Sequence, residues 1–87
     1  MYYVYVLVDK ISRKKYIGYT SDLKRRLNEH LTSKGAKFTR NGDWRLVYYE
    51  AYSSKKDAMT RENKLKKDGR TKYHLIRRIE DSLTDQN

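Results

Sequence analysis

The chain has 87 residues, and its 21 Lys and Arg against 11 Asp and Glu give it a formal charge of +10. With no cysteine and only two histidines, it excludes disulfides, iron–sulfur clusters, thiolate zinc sites and a histidine-rich metal cage. The longest apolar run, Tyr2 to Val8, is far short of the ~20 residues of a membrane helix and lacks the flanks of a secretory signal. These features predict one soluble, cytoplasmic domain over residues 1–83 with a frayed tail at 84–87. The charge favours polyanionic partners, nucleic acid first and an anionic membrane second. Nine tyrosines argue against a disordered basic tail.

Tyr2 to Val8 is an unbroken β-branched and aromatic run, which reads as a strand covered on both faces. Asp9 to Lys14 is turn-like, and Lys15 to Tyr19 reads as a second strand that completes an antiparallel hairpin. Gly18, near that strand's end, marks a place of close approach. Thr20-Ser21-Asp22 supplies cap chemistry for a helix from Leu23 to about Thr32, with Leu23, Leu27 and Leu31 as its apolar row. A basic loop over residues 33–43 leads to a third strand, Trp44 to Tyr52. Ser53-Ser54 with Asp57 opens a second helix running to a C-terminal Gly69. Thr71 caps a third helix whose stripe is Leu75, Ile76, Ile79 and Leu83. The order β-β-α-β-α-α predicts an α+β fold, a three-stranded antiparallel sheet flanked by helices.

Three polar residues fall where the helical period places core. At about 100° per residue, Arg26 and His30 lie beside Leu23 and Leu27 on the inward flank, while Arg25 faces solvent. For Arg26, an ion pair or a snorkelling side chain competes with a role in a cleft. For His30 alone, a structural histidine is the simpler reading. Glu62 falls between Ala58, Met59 and Leu65, where an unpaired carboxylate is costly. Its partner is either an arginine or a divalent metal that takes its remaining ligands from water and substrate phosphate. His74 lies opposite the third helix's stripe, as an exposed bystander. Tyr5, Tyr16 and Tyr19 lie on the hairpin, where a tyrosine ordinarily packs, yet a phenol near an arginine and a metal can act as a general base or orient water. Together these residues outline a phosphodiester site.

On these residues the chain resembles the GIY-YIG nuclease superfamily, in its small stand-alone bacterial branch. Tyr3-Val4-Tyr5 keeps the tyrosine of the first signature and departs at its first two positions. Tyr16-Ile17-Gly18 matches the second signature in full. Arg26 follows ten residues after Tyr16, and Glu62 lies on a later helix, as the family's arginine and glutamate do. The resemblance covers about residues 2 to 79. It implies an endonuclease that hydrolyses nucleic-acid phosphodiester bonds, with low intrinsic sequence specificity, using Mg2+ or Mn2+. In that scheme Glu62 holds the metal, Arg26 offsets transition-state charge, Tyr5 or Tyr16 handles the water, and His30 assists. Tyr19 stands where several active relatives carry lysine or histidine.

The alternative is a nucleic-acid-binding module of the same fold, non-catalytic or attenuated, acting with a partner protein. DNA is the expected partner, a second protein a possible source of specificity, and neither membrane nor small-molecule cofactor is implied. Lys34, Lys37 and Arg40 in the loop, with Lys64, Lys66, Lys67, Arg70 and Lys72 after Glu62, are the expected phosphate contacts. If six of them neutralise phosphates on duplex DNA, the log–log salt slope of binding is about −5. A titration giving a flat slope removes nucleic acid as the partner.

Overall fold

A computed structural model describes residues 1–31 and 42–84, with the Leu31 side chain also outside the description. Its elements are β1 (Tyr2–Asp9), β2 (Lys15–Thr20), α1 (Leu23–Leu31), β3 (Trp44–Tyr52), α2 (Lys55–Lys67), α3 (Gly69–Arg78) and α4 (Glu80–Thr84). The strands form one antiparallel sheet in the order β2-β1-β3. β1 is therefore central, which explains its continuous apolar run, since a strand paired on both edges and covered on both faces meets no water. Val4 through Val8 are all buried. The predicted loop contacts Lys34, Lys37 and Arg40, and the tail at 85–87, lie outside the described residues.

The alternation of side chains along β1 divides the core in two. Val4 and Val6, with Ile17 of β2, pack against Ala58, Leu65, Leu75 and Ile79 of the C-terminal helices. Tyr5 and Leu7, with Trp44 of β3, pack against Tyr16, Leu46 and the α1 residues Leu23 and Leu27. A β-bulge between Val6 and Leu7 shifts the register on β3, pairing Val6 with Tyr48 and Leu7 with Leu46. Asp9 closes the hairpin turn. Its carboxylate accepts from Ser12 Oγ at 2.6 Å and from the Asp43 amide at 3.1 Å, tying the turn to the approach of β3.

The helix starts follow the cap residues. Asp22 Oδ1 accepts the Arg25 amide, and Ser54 Oγ accepts the Asp57 amide. Two expectations are corrected. Gly69 does not end α2: Asp68 caps its C-terminus through an amide bond to Lys64 O and in the same step N-caps α3 by accepting the Arg70 amide. Gly69 is the first residue of α3, and Thr71 lies inside that helix with its hydroxyl on Asp68 Oδ2 at 2.7 Å. The helix begins earlier than a Thr71 cap requires, because the Asp68 carboxylate takes the capping role by accepting the Arg70 amide. The third helix also breaks at Ile79 into α3 and α4. The stripe still faces the core, because Leu75 and Ile79 are buried and Leu83 packs on the same cluster. Arg45 Nη2 of β3 holds α4 by donating to the carbonyls of Ser82 and Leu83.

A polar clamp fixes α2 to the sheet. Glu50 of β3 accepts from Arg61 Nε at 3.0 Å and Nη2 at 2.9 Å, from Tyr48 OH at 2.5 Å, and from the Tyr52 hydroxyl. Burial disfavours the Glu50 charge most strongly, but the bonds from Arg61, Tyr48 and Tyr52 outweigh it and hold the carboxyl below its ordinary range. A depressed folded pKa gives stability that is present at neutral pH and lost as pH falls through the folded value. Glu50→Gln is expected to lose about 1–3 kcal/mol at pH 7 and to flatten the acid limb below pH ~4.5. Urea melts of both chains across pH 3–7 check this, and parallel curves would count against the clamp.

Candidate active site

Four of the residues singled out in the sequence meet on the α1 side of the sheet. The Tyr5 hydroxyl lies 2.9 Å from His30 Nε2, joining the central strand to the last turn of α1. Both side chains are buried, at 1% and 2% exposure. The Tyr16 ring packs edge-on against His30 with centroids 5.2 Å apart, and it lies 6.3 Å from the Tyr5 ring. The inward flank read from the helical period is therefore the one observed. Arg25 points outward with its side chain 60% exposed, while Arg26 is 29% exposed.

Gly18 makes this arrangement possible. It is paired with Tyr5 across the sheet, and a Cβ at Gly18 would collide with the Tyr5 ring and hydroxyl. The ring lies over the space where β2 has no side chain. Tyr19, the next residue, packs into the opposite core cluster with Val4 and Val6. It cannot face the Tyr5 phenol, because successive strand residues point to opposite faces. His30 is the group that does.

Electrostatics assign the protons. Burial pushes the Tyr5 pKa up to about 12, against a lowering by the Arg26 guanidinium. Burial also lowers His30, aided by the positive charge of Arg26 and opposed by Glu29. At pH 7 the phenol is thus protonated and the imidazole neutral, and in the tautomer that carries its proton on Nδ1 Tyr5 donates and Nε2 accepts. Arg26 Nη1 donates to Glu29 Oε1 at 2.9 Å, and Arg25 Nη1 holds the other oxygen of Glu29 at 2.8 Å. The bond to Glu29 raises the Arg26 pKa most, with further support from the Tyr5 and Tyr16 hydroxyls. Glu29 is the orienting residue that sequence reasoning passed over, although its i+3 and i+4 spacing from the two arginines was visible.

Glu62 approaches from α2. Its charge adds the smallest contribution to the raised Tyr5 pKa, after burial and Tyr16. Its side chain is 22% exposed and pairs with Lys66 Nζ at 3.0 Å. Its protein partner is thus a lysine one turn along and not an arginine, because the i+4 position is in reach without leaving the helix. Ala58 and Leu65 flank Glu62 in the core as expected, but Met59 is 46% exposed and lies outside that stripe. Glu62 lines an open groove of about 680 Å3 with Lys55, Lys56, Met59, Thr60 and Asn63. Lys64, Lys67, Arg70 and Lys72 are exposed, as phosphate contacts must be, and Lys66 is exposed beside Glu62. Among the described residues no three His, Cys, Asp or Glu gather into a metal cage.

The GIY-YIG catalytic domain matches residues 1–74 of the chain. The UPF0213 protein BH0048 of Halalkalibacterium halodurans is 42% identical over 83 residues, which cover 94% of this chain and 80% of that protein. A UPF0213 protein of Streptococcus agalactiae is 51% identical over 61 residues, 69% of this chain and 68% of that one. The solution NMR structure of BH0048 is similar with a TM-score of 0.59, at 38% identity, covering 100% of this chain and 98% of that one. The strand order, the Tyr5–Tyr16–Arg26–His30 cluster and these matches lead to one conclusion: the chain belongs to the GIY-YIG family, alongside the small UPF0213 proteins.

Proposed function

We propose that the protein is a metal-dependent endonuclease acting on nucleic-acid phosphodiester bonds with low intrinsic sequence specificity. The observation that carries this reading is the buried Tyr5–His30 hydrogen bond with the Arg26 guanidinium beside it. A phenol and an imidazole so joined can pass a proton inward. As Tyr5 oxygen takes a proton from an attacking water, its own proton moves to His30 Nε2. The raised pKa of Tyr5 means that no phenolate stands ready at pH 7, so the two transfers must be coupled. Arg26 can turn from Glu29 toward the phosphate and offset the charge that grows on its oxygens. Tyr16 walls the site and helps to orient the guanidinium.

The donor set suits Mg2+ or Mn2+ held by one carboxylate, Glu62, with water and substrate phosphate as the other ligands. A bound ion would polarise the phosphate and stabilise the leaving oxygen. The Lys66 ammonium now pairs with Glu62, but Lys66 is exposed and an i,i+4 helix pair is worth only about 0.3–0.5 kcal/mol, so it yields readily. The basic residues after Glu62 hold the substrate by its backbone.

The test is cleavage of plasmid, branched and single-stranded DNA and of RNA, with Mg2+ or Mn2+ against chelator. Cleavage is expected only with metal and is lost in Glu62→Ala, while Arg26→Ala lowers it by about 10²–10³. Cleavage that survives Glu62→Ala overturns the site. Salt-sensitive binding without cleavage favours the attenuated binding module instead.

The pH profile supplies a second test. His30 must be neutral to accept the proton, and its pKa lies below the ordinary 6.5. The rate is expected to rise with pH through a value under 6.5 and to stay level through pH 8. In His30→Gln the acid limb should vanish and the rate fall by about 10²–10⁴. An unchanged profile in that variant removes His30 from the proton path.

A further inference from the structure

The outer face of α3 carries a row of side chains of which only Arg70 has been counted among the phosphate contacts above. Arg70, Tyr73, His74 and Arg77 recur at i, i+3, i+4 and i+7, the spacing of one helical face. All four are exposed, Tyr73 at 56%. Leu75, on the opposite face, is buried in the core with Ile79, so packing fixes the row outward. The row is also ordered by its own contacts. Arg77 Nη1 donates to the Tyr73 hydroxyl at 3.0 Å, and its guanidinium carbon lies 5.9 Å from the Tyr73 ring centroid. The His74 ring meets Tyr73 edge-on at 5.7 Å. An exposed tyrosine tied down in this way has already given up much of its rotamer freedom, which lowers the entropy lost on binding.

No carboxylate lies within the row. Asp68 is engaged at the α3 cap by the Arg70 amide and the Thr71 hydroxyl. Glu80 approaches Arg77 Nε at 3.6 Å, but both partners are more than 60% exposed, so a phosphate can displace it easily.

We propose that the Arg70–Tyr73–His74–Arg77 face of α3 is a second nucleic-acid contact surface, on which the two arginines bind phosphates of a duplex backbone. Seven residues of helix separate Arg70 and Arg77 by about 10 Å, which is about three base-pair rises of duplex. One strand can therefore meet both guanidiniums while Tyr73 and His74 cover the sugars between them. A chain of charge +10 adds long-range attraction for such a partner. A membrane is disfavoured, because an interfacial helix must free its apolar face and that of α3 is committed to the core. The inference rests on the nucleic-acid reading above, but not on catalysis.

The test is binding of a labelled 20-base-pair duplex to the full chain in chelator, followed by anisotropy across salt concentrations. Arg70→Gln/Arg77→Gln is compared with Lys10→Gln/Lys14→Gln, which removes equal charge from exposed residues of the β1–β2 turn. The α3 variant is expected to bind at least tenfold more weakly and to lower the magnitude of the salt slope by about 2. The turn variant should stay within about threefold of the parent. Circular dichroism establishes that both are folded, and single Arg70→Gln and Arg77→Gln chains replace a double variant that is not. Equal losses in the two variants overturn the proposal, as does binding to anionic vesicles but not to duplex. Loss of binding in the α3 variant of a chain that never cleaves keeps the surface and overturns the nuclease reading alone.

Discussion

The hydrogen bond between Tyr5 and His30 is the constraint on which the rest of the site depends. It spans 25 residues of sequence and joins the middle of the central strand to the end of α1. For that bond to form, β2 must have no side chain at Gly18, the α1 leucines must seat the helix on the sheet, and Arg26 must fall one turn before His30. Burial then sets the protonation of both partners, since neither a phenolate nor an imidazolium is easily kept away from water. A buried pair of neutral groups with a cation beside it can move a proton without first creating an isolated buried charge.

The sheet places the Tyr5–Tyr16–His30–Arg26 cluster on one face and packs α2, which carries Glu62, on the other. β1 sends Tyr5 and Leu7 toward α1, and Val4 and Val6 toward α2 and α3. Glu62 is carried by α2, the helix that the Glu50–Arg61 clamp fastens to β3. The position of the carboxylate thus depends on a polar contact eleven residues away from its partner in sequence. In so small a domain a few apolar side chains form each cluster, and buried polar bonds supply specificity of placement that the thin core cannot.

Tyr19 illustrates how a sequence position can mislead about a site. The family resemblance marks its position as one that lysine or histidine can occupy. Strand alternation sends Tyr19 into the opposite cluster, and the basic neighbour comes from α1 instead. Similarly, the protein partner of Glu62 is not an arginine from another element but Lys66, four residues along its own helix. The α3 row was half visible: Arg70 stood among the phosphate contacts, but His74 read as a bystander. Its order comes from contacts with Tyr73 and Arg77 that periodicity alone does not weigh.

By itself the sequence determined whatever depends on local spacing. The three strands and the order of the elements, the inward turn of Arg26 and His30, the exposure of Arg25 and the close approach at Gly18 all follow from periods of 2 and 3.6 residues and from the absence of a Cβ. It also carried the tyrosine, arginine and glutamate pattern of the family. Only the tertiary structure decided which groups meet across elements: Tyr5 with His30, Glu50 with Arg61, Arg45 with the end of α4, and Asp68 as the cap of two helices at once. These contacts depend on the relative placement of elements, which packing fixes to within ångströms and which no local period encodes. The protonation of the site depends on them in turn, because a pKa responds to burial and to neighbouring charges in space.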